Sequence, residues 1–573
     1  MHNTSSTIPQ PASSTHAADN ALALHRAGQL DSAEPAYRAI LDAQPCDANM
    51  HYMLGLLYLQ RSDVERAAER FDAALALNPN DADFLNDRGI AALSRGDHEG
   101  AVDFFRRAIE CAPQHALAHA NLGKALKSAG KLDDALASFR RALALEHDLF
   151  DAVIGSADTL ERLYRHAEAV TAYQYAAQLQ PRNTRALLGL GMTLNAVRRH
   201  VEAAECLERA LREEPDNPHA LFGIAYAADS QLRFEDALRK YEYALQVLPD
   251  AAALHNNVAF TLTCMSRYNE ADTHLRRAIE LEPHLSNAYK LLGMSQLRRG
   301  NFRDGSTYYE HRKITPGGLR DYPKLGMPEW QGEPLDGRRF LLAREQGAGD
   351  QLQFIRYADV LRYLGATVDV WTSAELAPLF SRMRGVNEVL TSEPEGGNYD
   401  YYCRMMSVPA WLRSDAIPRV VPYLSADDAQ TAVWRERLEQ AAGASKKIGL
   451  VWAGNPQHYL DVYRSAPLDV LEPLATVPGL AWFALGQLLD NFDTTAAVIA
   501  LLDLVITVDT SVAHLAGALG KPVSVLLPKQ ADWRWMMSGD VTPWYPTARL
   551  FRQQELGDWS PVVESVRRAL AAL

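Results

Sequence analysis

From residue 18 to about 312, small and large apolar residues recur with a period of 34 residues. Alanines stand at Ala33, Ala67, Ala101, Ala135, Ala169, Ala203, Ala237 and Ala271. Four positions after each comes a large residue: Tyr37, Phe71, Phe105, Phe139, Tyr173, Leu207, Tyr241 and Leu275. Gly55, Gly89, Gly123, Gly191 and Gly293 hold another fixed slot, and Pro45, Pro79, Pro113, Pro181, Pro215, Pro249 and Pro283 a third. His147 takes the place of the proline that the period requires there. Residues four apart share one face of a helix, so the pattern predicts two antiparallel helices per unit. Alanine and glycine let the helices approach, the large residue fills the gap, and proline ends the second helix. Eight units run over about 14–285, a ninth first helix over 286–299, and "GNFRDGSTYYEHRK" keeps part of its second helix.

This pattern matches the tetratricopeptide repeat, a 34-residue helix–turn–helix unit. The resemblance implies a superhelix with a concave groove that binds peptides or protein segments. In protein O-GlcNAc transferases, which share the overall plan, an asparagine ladder in one first-helix slot holds the acceptor backbone. That slot reads Asp19, Met53, Asp87, Asn121, Gly155, Gly189, Gly223, Asn257 and Leu291 here, so Asn121 and Asn257 are the groove candidates. The alternative is an array that positions or oligomerises the region after it.

After about 313 the period stops, and 313–337 reads as a Gly/Pro-rich linker. Short β-rich runs then alternate with helical ones: "RRFLLAR" strand, "QLQFIRYADVLRYLG" helix, "ATVDVW" strand, "AELAPLFSRMRG" helix, "VNEVL" strand. That order predicts a parallel sheet of Rossmann type over 338–424. A second such half, 425–573, runs through "KKIGLVWAG", "GLAWFALG", "LLDLVITVD" and "KPVSVLL". The expected fold class is an α-solenoid followed by an α/β domain of two Rossmann-type halves, preceded by a disordered lead-in at 1–17.

The net charge of −13 argues against a nucleic-acid binder, which would present a basic face. Cys46, Cys111, Cys206, Cys264 and Cys403 are far apart and form no CxxC pair, so neither a disulfide framework nor a zinc site is expected. A reducing compartment fits, and the cytoplasm is the expected location. No apolar run has the length of a membrane span.

Two stretches carry candidate chemistry. In "REQGAGDQ", Gly347 and Gly349 permit a tight turn, and Asp350 opens a helix, either as its N-cap or as a general base. In "TVDTSVAHLAGALGKPVSVLL", a buried strand leads into a helix that begins at Asp509, Thr510 and Ser511. His514, four residues after Thr510, lies on the same helix face. Unpaired N–H groups at that helix start favour phosphate oxygens, and ligands bind at this edge of parallel sheets. The plainer reading is a capped helix with a histidine packed on the sheet. In "VWAGNPQHYLDVYRSAPL", Asn455, His458, Arg464 and Ser465 are within reach of the same ligand or form an ordinary polar loop.

With "DWRWM", "PWYP" and "LFRQ", these motifs resemble bacterial tetratricopeptide-repeat proteins whose C-terminal domain is similar to the heptosyltransferases of lipopolysaccharide synthesis. The resemblance implies a GT-B glycosyltransferase with a nucleotide-sugar as substrate and no cofactor, inverting and without metal. It makes Asp350 the base, with Glu345 as the nearby substitute, and Asp509, Thr510, Ser511 and His514 the donor-phosphate site. A protein or glycan acceptor would be recruited by the concave face. Against the family pattern, about one αβ unit is missing before "DTTAAVIALLD", and basic residues are absent near Tyr459 and Val462. The alternative is therefore a non-catalytic scaffold with a degenerate transferase-like domain; a nucleotide-binding epimerase of similar two-lobed fold is a third reading.

Overall fold

The computed structural model describes residues 12–315, 325–394, 398–454, 461–486 and 491–572. The chain divides into two compact units, Met1–Leu248 and Pro249–Leu573.

Among the described residues the first unit is seven helical hairpins, from Ala12–Arg26 with Leu30–Ala43 to Pro218–Ser230 with Phe234–Val247. The three periodic slots explain the packing. A Cβ on Gly55 would lie 2.6 Å from the Phe71 ring, and one on Gly89 would lie 2.7 Å from that of Phe105. The helices are thus close enough that only glycine faces each ring, and Phe71, Phe105 and Phe139 are fully buried. Many first helices are capped by an acidic or amide side chain: Asp47 accepts from the Met50 amide, Asp81 from that of Phe84, and Asn183 from that of Ala186.

The second unit begins with two more hairpins, Ala252–Cys264 with Tyr268–Leu281 and Ser286–Arg298 with Phe302–Tyr309. Two parallel sheets follow. Strands β1 (Arg339–Ala343), β2 (Thr367–Trp371), β3 (Glu388–Leu390) and β4 (Tyr401–Arg404) form the first, in the order β3-β2-β1-β4. Strands β5 (Lys446–Val451), β6 (Leu480–Ala484), β7 (Leu504–Val508), β8 (Val523–Leu527) and β9 (Ala548–Arg552) form the second, in the order β6-β5-β7-β8-β9. All pairings within both are parallel. One hydrophobic core runs through Leu297 and Tyr309 of the last hairpin, Leu342 and Phe354 of the first half, and Val505 and Trp533 of the second.

Three details differ from the sequence reading. The helix read as 351–365 is two short ones, Ala348–Phe354 and Tyr357–Tyr363, broken at Ile355–Arg356. Arg356 is the reason: its guanidinium is buried and tied to the Gln353, Pro418 and Trp544 carbonyls and the Tyr423 hydroxyl. That stitches the two α/β halves together. Strands β4 and β9 had no counterpart in the reading, because "YYCR" and "ARLFR" are too short to show a period. And the helix expected at "AELAPLFSRMRG" is only Ala377–Ser381.

Candidate functional site

The helix Ala348–Phe354 starts at the end of β1, and Ser511–Ala518 starts at the end of β7. Each leaves the carboxyl edge of its sheet, the edge where α/β sheets bind ligands. The two helices pack on one another at their starts. A Cβ on Gly349 would lie 3.0 Å from His514 Cδ2 and 3.6 Å from Ser511 Cα. Glycine is what allows this approach.

Asp350 is not the N-cap. Gly347 holds that place, and Asp350 stands at the third helical position, where its Oδ2 accepts from the Gly347 amide at 3.1 Å. A carboxylate there makes the return half of a capping box; Gly347 has no side chain to make the other half. Its other oxygen is ion-paired to Arg534, a residue of the "DWRW" loop. Arg534 also pairs with Asp532 at 2.7 Å and lies over the Trp533 ring at 4.4 Å. Burial raises the Asp350 carboxyl above its ordinary range, against the pull of Arg534. Burial acts on Asp532 in the same direction, but Arg534 and its backbone amide outweigh it and hold Asp532 low.

Asp509 and Thr510 precede the second helix, which starts at Ser511. Burial and the nearby Asp532 carboxylate raise Asp509. Thr510 makes no cap bond; its hydroxyl pairs with that of Thr507 at 3.0 Å. His514 is 5% exposed, with Nδ1 2.9 Å from the Tyr545 hydroxyl and its ring stacked on Trp535. Burial, then repulsion from Arg534, lowers its pKa to about 3, so the imidazole is neutral. It offers a hydrogen bond here, not a charge.

Arg464 and Ser465 lie beside the end of β5. Arg464 pairs with Asp461 at 3.1 Å, and the Ser465 hydroxyl donates to Asp461 and accepts from the Gly454 amide. Arg464 acts on the Asp509 carboxyl electrostatically. Asn455 and His458 lie outside the described residues, as does Tyr459. Glu345, the substitute base, is committed elsewhere: both its oxygens hold the buried Arg312, and one also accepts from the Met406 amide. Asn121, in the first unit, donates to Asn86, and Asn257, in the second, accepts from Asn256. No group of three or more metal-ligating side chains occurs among the described residues.

From the sequence, Arg534 or Arg552 was open to facing the cleft, but neither Arg534 nor Asp532 was given a place in the site. The signal was the charge pair inside the aromatic "DWRW" run, an uncommon place for charge unless paired. Two non-glycine residues with positive φ mark the same loops, Gln346 at 55° and Met536 at 66°. Such backbone is held in place by its surroundings and gathers at functional sites.

Tetratricopeptide-repeat models match residues 18–69, 52–116, 92–155, 154–218 and 188–253. The helical hairpins over 18–253 are tetratricopeptide repeats. A glycosyltransferase family 9 (heptosyltransferase) model matches residues 487–539, which include Asp509, His514 and Arg534. Protein FlbA of Caulobacter vibrioides is 27% identical over 321 residues, 48% of this chain and 53% of FlbA. The chain thus spans about half the length of that curated relative. Among solved structures, YrrB, titled a TPR protein with an unusual peptide-binding site, is 23% identical with a TM-score of 0.29, over 32% of this chain and 95% of YrrB. MamA is 22% identical with a TM-score of 0.28, over 30% and 94%. The Pseudomonas aeruginosa pilF protein is 22% identical with a TM-score of 0.34, over 36% and 94%. No described helix is long and apolar enough to cross a membrane.

Proposed function

We propose that this tetratricopeptide-repeat protein is a glycosyltransferase. It moves a sugar from a nucleotide-sugar to a protein or glycan acceptor recruited by the repeats, with inversion and without a metal. The observation that carries the reading is the packing of Gly349 on the Ser511–His514 turn, with the next residue, Asp350, paired to Arg534. This supports a site in which the carboxylate of one half stands one residue from the contact with the helix start and neutral imidazole of the other.

In the reaction the acceptor hydroxyl attacks the anomeric carbon as its proton passes to Asp350, while the bond from that carbon to the donor phosphate breaks. A carboxyl raised by burial is a better base than an ordinary one. The leaving phosphate gathers negative charge, which Arg534 and the backbone N–H groups of Ser511 and Val512 are suited to hold. Arg534 now holds Asp350. An arriving phosphate draws Arg534 toward itself and frees the base, which ties proton removal to donor binding.

A second reading, a non-catalytic repeat scaffold, draws on the second sheet. Its order, with β6 at the edge, is a six-stranded doubly wound order lacking one outer strand among the described residues. Thermal shift with a panel of UDP-, GDP- and ADP-sugars separates the two. The transferase reading expects a stabilised wild type, a weaker shift for His514→Ala, and loss of nucleotide release, with binding retained, for Asp350→Asn. Absence of binding to every nucleotide-sugar favours the scaffold.

A further inference from the structure

The last repeat delivers a buried arginine to the charged loop. Arg298 ends the first helix of the ninth hairpin and is 6% exposed. Its Nη2 donates to the Ala531 carbonyl at 3.3 Å, and its guanidinium lies over the Tyr268 ring at 4.7 Å. Its own carbonyl accepts from the Met537 amide at 3.2 Å. One hairpin earlier, the Cys264 carbonyl accepts from the Gln530 side chain. The loop from Gln530 to Met537 is thus fastened to the last turns of two successive first helices.

Arg298 has more donors than this docking uses. Its Nε and Nη1 are buried and have no hydrogen-bond partner among the described residues, and the same is true of Nε of Arg534, which is 8% exposed. Burying unmatched guanidinium donors is costly. The two arginines flank Asp532: Arg534 by direct pairing, Arg298 through its field, which helps hold that carboxylate ionised. A forked, permanently charged donor set of this kind matches an oxyanion, and phosphate oxygens in particular.

We propose that Arg298 is a phosphate ligand of the donor site, so that the repeat array supplies, beside Arg534, one of the two guanidinia that hold the nucleotide-sugar's phosphate. The proposal rests on the transferase reading and adds to it: the array then completes the site as well as recruiting an acceptor. The carboxylates now paired to Arg534 are the groups the phosphate displaces.

Calorimetry on the full chain with inorganic pyrophosphate tests it, comparing wild type, Arg298→Gln, Arg298→Lys and Gln530→Ala. Gln530→Ala loosens the same docking contact and leaves both arginines in place. Loss of a charge-assisted pair in Arg298→Gln weakens binding by about tenfold or more. Arg298→Lys, with charge but no fork, falls between, and Gln530→Ala stays within about twofold of wild type. Thermal melts and near-ultraviolet circular dichroism confirm that the variants fold, and Arg298→Lys keeps the test open should Arg298→Gln not. The proposal is overturned if wild type does not bind pyrophosphate, if Arg298→Gln binds as wild type does, or if Gln530→Ala loses as much as Arg298→Gln. Nucleotide release by wild type decides the transferase reading separately. Release unchanged in Arg298→Gln sinks this inference alone, whereas Arg298-dependent pyrophosphate binding without nucleotide-sugar binding sinks the transferase reading alone.

Discussion

His514 makes the stability of the α/β region depend on pH in a way that can be isolated. Its imidazole is 5% exposed, packed between Trp535 and Tyr545, with the Arg534 and Arg356 charges nearby. Its pKa falls from the ordinary 6.5 to about 3 on folding. The unfolded chain therefore binds a proton below pH 6.5 that the folded chain refuses until about pH 3. The stability His514 lends is complete above 6.5 and drains away as the pH falls toward 3. At about pH 4.5, two units below the ordinary value, the loss is on the order of 2.7 kcal/mol. Trp330, Trp371, Trp411, Trp434, Trp452, Trp482, Trp533, Trp535, Trp544 and Trp559 make up all ten tryptophans, so tryptophan emission follows this region and not the first seven hairpins. Urea unfolding of wild type and His514→Gln at about pH 7 and about pH 4.5, followed by emission, measures the term. The variant loses the Tyr545 contact and is less stable at both values. What matters is the difference of differences: wild type loses about 2–3 kcal/mol more than the variant between the two pH values. Other groups that titrate in the window, Asp509 among them, do so in both proteins and cancel. Equal losses would refute the buried, neutral imidazole, and with it the account of His514 as an uncharged hydrogen-bonding group.

Arg534→Met leaves Asp350 and Asp532 without their cation and lowers stability by about 3 kcal/mol in the same emission-detected assay; a loss under about 1 kcal/mol would mean that solvent already screens both pairs. Gly349→Ala brings a Cβ to 3.0 Å from His514 and pushes the two helix starts apart; a shift in tryptophan emission and a lower melting temperature are expected, and an unchanged melt would show that the halves are not tightly packed there. Gly89→Ala drives a Cβ to 2.7 Å from the Phe105 ring and destabilises the first unit by about 1–3 kcal/mol, read by far-ultraviolet circular dichroism, while tryptophan emission stays as in wild type.

The repeats were legible because one geometric constraint recurs. Gly55 and Phe71, then Gly89 and Phe105, solve the same packing problem 34 residues apart, and each solution repeats the signal. The sheets were legible from their apolar runs, as in β7 and β8, where every residue but one is buried. The site was legible in its backbone, since Gly347, Gly349 and the turn at Asp509–Ser511 announce their helix starts. Its electrostatics were not. Asp350 meets Arg534 across 184 positions, and no local pattern reports a partner that distant. Glu345 stood in "REQGAGD" as the substitute for Asp350, and only the fold shows Arg312 occupying it. The break at Arg356 was hidden likewise, because its partners Pro418, Tyr423 and Trp544 come from elsewhere in the chain.

The ninth hairpin shows how a repeat is altered where it takes on another task. Elsewhere the glycine slot faces a ring or a leucine side chain. At Gly293 an added Cβ would instead meet backbone, the Tyr309 nitrogen at 2.6 Å and the Gly305 carbonyl at 2.9 Å. A second glycine, Gly305, answers it, with Leu297 N 2.7 Å from its own added Cβ. The alanine slot has become Gly305, and the large-residue slot, four positions on, is Tyr309. The two helices approach backbone to backbone, so the tyrosine has no gap to fill between them. Its ring turns instead to Trp533, at 6.0 Å between centroids, and lies under the Arg312 guanidinium at 4.9 Å. Arg312 in turn fixes Glu345 at the end of β1, three residues before the helix that carries Asp350. The substitution that blurs the repeat in the sequence is therefore the one that joins it to the candidate site, and Arg298, on the facing helix of the same hairpin, reaches the other side of the "DWRW" loop.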